Sequence, residues 1–186
     1  MNTNKNADVT LKISQITWSF QDDIVYDNIA LCLYATGCAW GCKGCQNKDL
    51  WDFESEASFE IKTGKLIEYI RDKIKYINEE NISVVGLGGD FWYQADNYTK
   101  AMAEIKKEFP KIKIVWYTGA YFEYKHPDNL ESIDAILWGP LKNKDEKVYK
   151  TLTNAPHTEI AKEIFVNDYD HQFEDDTEYA GEHAYA

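Results

Sequence analysis

All four cysteines of this 186-residue chain lie within one stretch of fourteen residues. Cys38, Cys42 and Cys45 occupy a glycine-rich loop with the spacing C-x3-C-x2-C, and Cys32 precedes them in an apolar run. Disulfides that staple a small secreted fold are normally spread along the chain, so thiols crowded in this way favour metal, cluster or redox chemistry. We therefore take this segment as the candidate centre of chemistry.

Three kinds of site are compatible with these thiols. Structural zinc uses four nitrogen or sulfur ligands, and the fourth would have to be Cys32 or a distant histidine. A thioredoxin-like pair at Cys42 and Cys45 leaves Cys38 without a role. An iron–sulfur cluster with three protein ligands uses all three loop cysteines and leaves one iron open for an outside ligand. The spacing favours the cluster, and Cys32 is expected to pack in its strand as a small hydrophobe.

The apolar pattern of the chain predicts the strands and helices that position this loop. Apolar residues three and four apart predict one helix around Leu66 to Ile77, with its stripe in the core, and another around Ala101 to Phe109. Strands separated by helices of this length indicate βαβ crossovers and a parallel sheet. The predicted strands are Val9 to Trp18, Ile29 to Tyr34, Ser83 to Leu87, Ile112 to Tyr117 and Ile133 to Trp138.

Glycines mark the exits of four of these strands. Glycine lets a backbone approach a ligand closely or adopt a positive φ. Because the carboxyl ends of parallel strands meet at one edge of a sheet, we expect these exits and the cysteine loop to converge on one site. Eight of the ten glycines lie there: Gly37, Gly41, Gly44, Gly86, Gly88, Gly89, Gly119 and Gly139.

Three segments of the chain together resemble a known family. Residues 36–51 read TGCAWGCKGCQNKDLW, residues 88–90 read GGD, and residues 115–119 read VWYTG. These segments resemble the radical S-adenosylmethionine superfamily, and within it the anaerobic ribonucleotide reductase activating proteins. The resemblance covers about residues 24 to 140. Lys43, Gln46 and Phe91 depart from that branch, which has proline, tyrosine and proline in their places.

The resemblance implies a fold and a set of site residues. The fold is α/β, a compact partial (βα) barrel with a mostly parallel sheet, with cluster and cofactor at the C-terminal ends of the strands. A 4Fe-4S cluster would be held by Cys38, Cys42 and Cys45. Asp90 would accept a hydrogen bond from the ammonium group of S-adenosylmethionine. The implied contacts to that cofactor are Gly44, Cys45, Gln46, Gly88, Gly89, Asp90 and Thr118.

The resemblance also implies a reaction. One electron from the reduced cluster would cleave S-adenosylmethionine, and the resulting 5′-deoxyadenosyl radical would take a hydrogen atom from a glycine of anaerobic ribonucleoside-triphosphate reductase. The partners would be the large subunit of that reductase and a low-potential electron donor such as flavodoxin. No catalytic side chain is expected, because the cofactor carries the chemistry. Two alternatives stay open: a radical enzyme acting on a small molecule such as a deazapurine precursor, and a non-catalytic module that binds a cluster or zinc.

Composition restricts the possible partners and location. With 32 acidic and 20 basic residues the net charge is −12, which disfavours nucleic acid and anionic membranes as partners. No apolar run approaches the roughly 20 residues that a spanning helix needs, so we expect a cytoplasmic protein. Residues 168–186 carry seven acids and no lysine or arginine. We predict a flexible N-terminus (1–8), one domain (9–167) and an acidic C-terminal tail (168–186).

Overall fold

A computed structural model describes residues 8–23, 25–42, 45–120 and 127–138, with the backbone of residues 150–152. Residues 1–7, the predicted acidic tail, Gly44 and Gly139 lie outside the described residues. Two α-helices are present in the described part, α1 at Thr63–Lys73 and α2 at Ala95–Glu108. The strands are β1 (Thr10–Ser19), β2 (Ile29–Ala35), β3 (Phe59–Lys62), β4 (Ile82–Gly88), β5 (Lys113–Thr118), β6 (Ala135–Trp138) and β7 (Lys150–Leu152).

These strands form one open sheet in the order β3-β1-β2-β4-β5-β6-β7. The central strands β2, β4, β5 and β6 are parallel, which confirms the predicted α/β fold. The strands β1, β3 and β7 pair antiparallel at the two sides. A parallel crossover needs a dozen residues or more, whereas residues 20–28 are all that separate β1 from β2. This short connection explains why β1 runs against its neighbour.

One face of the sheet carries both helices. The helix α1 buries Leu66 and Ile70 completely, and α2 buries Met102 and Ile105 against the same core. The predicted stripe on α1 is therefore confirmed as core. Its later members Ile74 and Ile77 lie beyond the end of the helix but still pack against the core in part.

The opposite face of the sheet holds a smaller apolar cluster. Cys32 is fully buried there, with its sulfur 3.6 Å from a carboxylate oxygen of Asp22. Burial, followed by the nearby Asp22, raises the pKa of the Cys32 thiol to about 12. Cys32 thus packs as a small hydrophobe, as predicted. The other buried members of this cluster are Ala30, Val85, Val115, Ala135 and Leu137.

Neither helix of the described part of the chain combines the length and the apolar character needed to cross a bilayer.

Candidate iron–sulfur site

The predicted convergence of strand exits is observed at the ends of β2 and β4. The peptide N–H of Gly89 donates to the Ala35 carbonyl at 2.8 Å, and that of Asp90 donates to the Gly37 carbonyl at 2.9 Å. A Cβ on Gly89 would lie 2.8 Å from the Gly37 carbonyl oxygen and 2.9 Å from those of Ala35 and Leu50. Only glycine allows these backbones to approach so closely.

The cysteine loop is closed at its base by backbone hydrogen bonds. Gly37 donates to the Leu50 carbonyl at 2.9 Å, and Cys38 donates to the Trp51 carbonyl at 3.1 Å. Gly37 has a φ of +87°, and the ring of Phe53 lies where its Cβ would be. The segment that bears the thiols therefore leaves the end of β2 and returns to the same place.

The three loop thiols form no disulfide and are partly exposed. The Cys45 sulfur accepts a hydrogen bond from the peptide N–H of Asn47 at 3.3 Å, and the Cys38 sulfur accepts one from that of Trp40. Burial is the main reason why the pKa of Cys38 rises to about 12; the bond from Trp40 opposes the shift, and the negative charges of Asp90, Cys42 and Cys45 raise it further. Bound iron reverses this effect, because a coordinating cation stabilises the thiolate.

This donor set fits a cluster with three protein ligands. Peptide N–H groups directed at sulfur are among the contacts that stabilise cluster thiolates. In the described ranges no three His, Cys, Asp or Glu side chains already stand close enough to hold a single metal ion. A cluster distributes its ligands over separate irons, so three thiols need not meet at one point. Cys32, buried on the sheet, is not available as the fourth ligand that structural zinc requires.

A buried hydroxyl next to the loop lacks a partner in the described structure. Thr36 is 5% exposed, and its Oγ1 makes no hydrogen bond there. An unpaired buried hydroxyl costs about 1 to 3 kcal/mol, so such a group at a strand exit suits contact with a bound ligand. The sequence motif includes Thr36, but the pattern alone assigned it no role.

The Asp90 carboxylate accepts four hydrogen bonds from the chain itself. Its Oδ2 accepts from the Trp40 indole Nε1 at 2.6 Å, from the Thr118 hydroxyl at 2.8 Å and from the Gly119 peptide N–H at 2.8 Å. Its Oδ1 accepts from the Trp92 peptide N–H at 2.9 Å. Asp90 is 1% exposed, and burial raises its pKa to about 6 although these hydrogen bonds oppose the shift. The predicted contact between Asp90 and the cofactor stays a prediction; in this structure the carboxylate is engaged in bonds within the chain.

The other predicted contacts divide into three groups. The Thr118 hydroxyl donates to Asp90 and accepts from the Ala120 peptide N–H at 3.0 Å, so it too is used within the chain. Gly88 and Gly89 lie at the β4 exit, and Cys45 and the exposed Gln46 lie in the cysteine loop. Gly44 lies outside the described residues. The sequence placed Trp40 near this edge, between two cysteines, but gave it no specific role; the structure shows its indole N–H bound to Asp90.

Comparison with known proteins identifies the class. Residues 28–157 match the 4Fe-4S single cluster domain family, a stretch that contains β2, the cysteine loop and all later strands. The chain belongs to this family. Membership supports the iron–sulfur cluster and confirms the resemblance to the radical S-adenosylmethionine superfamily drawn from the sequence.

A curated relative specifies the type of enzyme. The chain is 27% identical to the anaerobic ribonucleoside-triphosphate reductase-activating protein of Enterobacteria phage T4 over 111 residues. The matched region covers 58% of this chain and 67% of the phage protein. The crystal structure of QueE from Escherichia coli aligns with a TM-score of 0.49 and 15% identity, over 78% of this chain and 65% of that chain. With the family match, the phage relative identifies a radical S-adenosylmethionine-type iron–sulfur enzyme related to reductase activases.

Proposed function

We propose that this chain is a glycyl-radical activase for anaerobic ribonucleoside-triphosphate reductase. The observation that carries the proposal is the loop of three thiols, none of them in a disulfide, at the joined exits of β2 and β4. The phage relative, whose name describes the activation of that reductase, supports the choice of partner. The proposal includes S-adenosylmethionine as cofactor, a low-potential donor such as flavodoxin, and a cytoplasmic location.

The residues of the chain have defined tasks in this function. Cys38, Cys42 and Cys45 would hold three irons and leave the fourth iron for the cofactor. Gly88 and Gly89 let the end of β4 lie directly against the end of β2 and the base of the cysteine loop, which would place this strand end beside the cofactor. When bound, S-adenosylmethionine would supply the chemistry, a one-electron reductive cleavage that provides the radical needed to take a hydrogen atom from a glycine of the reductase.

An anaerobic assay tests the proposal. The chain is reconstituted with iron and sulfide, reduced, and mixed with S-adenosylmethionine and the reductase large subunit from the same genome. We expect formation of 5′-deoxyadenosine and, by electron paramagnetic resonance, a glycyl radical on the reductase that depends on the chain. The Cys42→Ala variant should give neither product, whereas Cys32→Ala, which alters a buried residue outside the loop, should retain both.

The outcomes separate the alternatives. Cofactor cleavage without a glycyl radical would contradict the activase and favour a small-molecule substrate. A protein that binds iron but never cleaves the cofactor would be a non-catalytic module. Zinc in place of iron would overturn the cluster itself.

A further inference from the structure

One carboxylate connects three segments that are distant in sequence. Asp90 at the end of β4 accepts hydrogen bonds from Trp40 in the cysteine loop, from Trp92 in the turn that follows β4, and from Thr118 and Gly119 at the end of β5. The carboxylate is 1% exposed, so water does not compete for these bonds. Asp90 is therefore a common hydrogen-bond acceptor for the cysteine loop, the turn after β4 and the end of β5.

Trp40 is the contribution of the cysteine loop to this network. Its indole ring lies on Gly119, where a Cβ would be 2.6 Å from the ring carbon Cδ1. The ring also lies 6.2 Å from that of Tyr93, whose hydroxyl accepts the peptide N–H of Ala39 at 3.2 Å. Ala39 and Trp40, which lie between Cys38 and Cys42, are thus hydrogen-bonded to residues that directly follow β4.

We infer that Trp40 is a positioning residue, and that its bond to Asp90 holds the Cys38–Cys42 segment in place against the ends of β4 and β5. Asp90 then affects cluster and cofactor through the loop, since its Oδ2 already accepts three bonds from the chain. A charge-assisted bond of 2.6 Å at a carboxylate shielded from water is strong enough to restrict a loop that is otherwise held by its base and by the Tyr93 hydroxyl. Gly119 contributes to the same positioning, because its lack of a side chain leaves room for the indole ring.

The experiment compares the full-length, cluster-free chain with three variants. Trp40→Phe keeps a ring over Gly119 but removes the N–H donor. Asp90→Asn removes the charge, and the double variant combines the two changes. Trp18→Phe is the matched control, because Trp18 packs on the helical side of β1, where Lys73 lies 4.9 Å from its ring centre. The rate of amide hydrogen exchange in a peptide that covers residues 36–47 measures how readily the cysteine loop opens.

We expect Trp40→Phe to speed exchange in this peptide about tenfold, the factor that corresponds to 1.4 kcal/mol. The double variant should show no more than the larger single effect, because Trp40→Phe removes the bond that Asp90→Asn weakens. Trp18→Phe should leave the loop unchanged. After reconstitution, Trp40→Phe should lose iron to a chelator several times faster than wild type and show an altered resonance spectrum of the reduced cluster.

Unchanged exchange in Trp40→Phe, or effects that add fully in the double variant, would overturn the inference. A wild-type rate of iron loss with an unaltered spectrum in Trp40→Phe would show that the bond has no bearing on the cluster. The exchange measurement needs neither cofactor nor reductase, so its result is independent of the proposed activity.

Discussion

Gly89 donates its peptide N–H to the carbonyl of Ala35 at 2.8 Å, so the end of β4 lies directly against the end of β2. This backbone contact places the Gly88-Gly89-Asp90 segment beside the start of the cysteine loop. Main-chain contacts alone therefore bring these two parts of the site together.

Replacing Gly89 by alanine should separate these two strand ends. The new Cβ would meet three backbone carbonyl oxygens at 2.8 to 2.9 Å, none of which can rotate away. We expect a loss of about 1 to 3 kcal/mol in the free energy of unfolding, together with reduced iron loading after reconstitution. Denaturant unfolding and iron analysis measure the two effects.

Gly64→Ala is the matched control for this prediction. Its Cβ would contact only a carboxylate oxygen of Asp8, at 3.6 Å, and its position in α1 favours alanine. The control should be as stable as wild type or more stable by up to about 1 kcal/mol. Equal stabilities for the two variants would show that the close approach at Gly89 does not constrain the fold.

Iron content should separate the loop cysteines from the strand cysteine. Replacing Cys38, Cys42 or Cys45 by alanine removes a ligand and should abolish a full cluster while the chain stays folded, because all three are partly exposed. Cys32→Ala should retain full iron, since Cys32 lies buried in the apolar cluster on the sheet. A variant of any loop cysteine that kept four irons per chain would contradict the ligand assignment.

Two threonines, at the ends of β2 and β5, should respond in opposite ways to replacement by valine. Thr118→Val removes the hydroxyl that donates to Asp90 at 2.8 Å, and we expect the cluster-free chain to lose about 1 to 3 kcal/mol. Thr36→Val removes a hydroxyl without a partner in the described structure, so stability should be unchanged or higher.

The same Thr36→Val variant should bind S-adenosylmethionine less tightly once the cluster is in place. Urea unfolding and cofactor titration of the reconstituted protein provide the two measurements. A strongly destabilised Thr36→Val chain would mean that the hydroxyl has a structural partner. Wild-type cofactor affinity would mean that the bound cofactor does not satisfy it.

Asp90 should make the stability of the cluster-free chain depend on pH. Burial raises its pKa from 3.8 to about 6, so the folded chain holds this proton more firmly than the unfolded chain. The contribution to stability is therefore fully present below about pH 4 and is lost as the pH rises through about 6. A difference of about two pKa units corresponds to about 3 kcal/mol.

Unfolding free energies of wild type and Asp90→Asn, compared between pH 4 and 7, isolate this effect. The advantage of wild type over the variant should shrink as the pH rises, because asparagine does not titrate. An advantage that grows toward pH 7 would place the folded pKa below the ordinary value. The four hydrogen bonds to the carboxylate would then outweigh its burial.

Local pattern was sufficient for most of the fold. The alternation in β1, the short apolar runs of β2 and β4 to β6, and the apolar stripe of α1 are properties of adjacent residues, and each predicted element was confirmed. The strands β3 and β7 were missed. They have four and three residues, and their pairing with β1 and β6 stabilises them rather than any pattern of their own.

The sequence by itself was sufficient to predict the class of chemistry. The spacing of the three thiols and the glycines that follow the strands can be read directly from the order of the residues. Only the tertiary structure decided which groups hydrogen-bond to the Asp90 carboxylate. Its donors Trp40 and Thr118 lie 50 residues before it and 28 residues after it. A carboxylate bonds the donors that reach it in space, and burial excludes the water that would otherwise take their place. That choice depends on how β2, β4 and β5 pack side by side, and no local pattern specifies it.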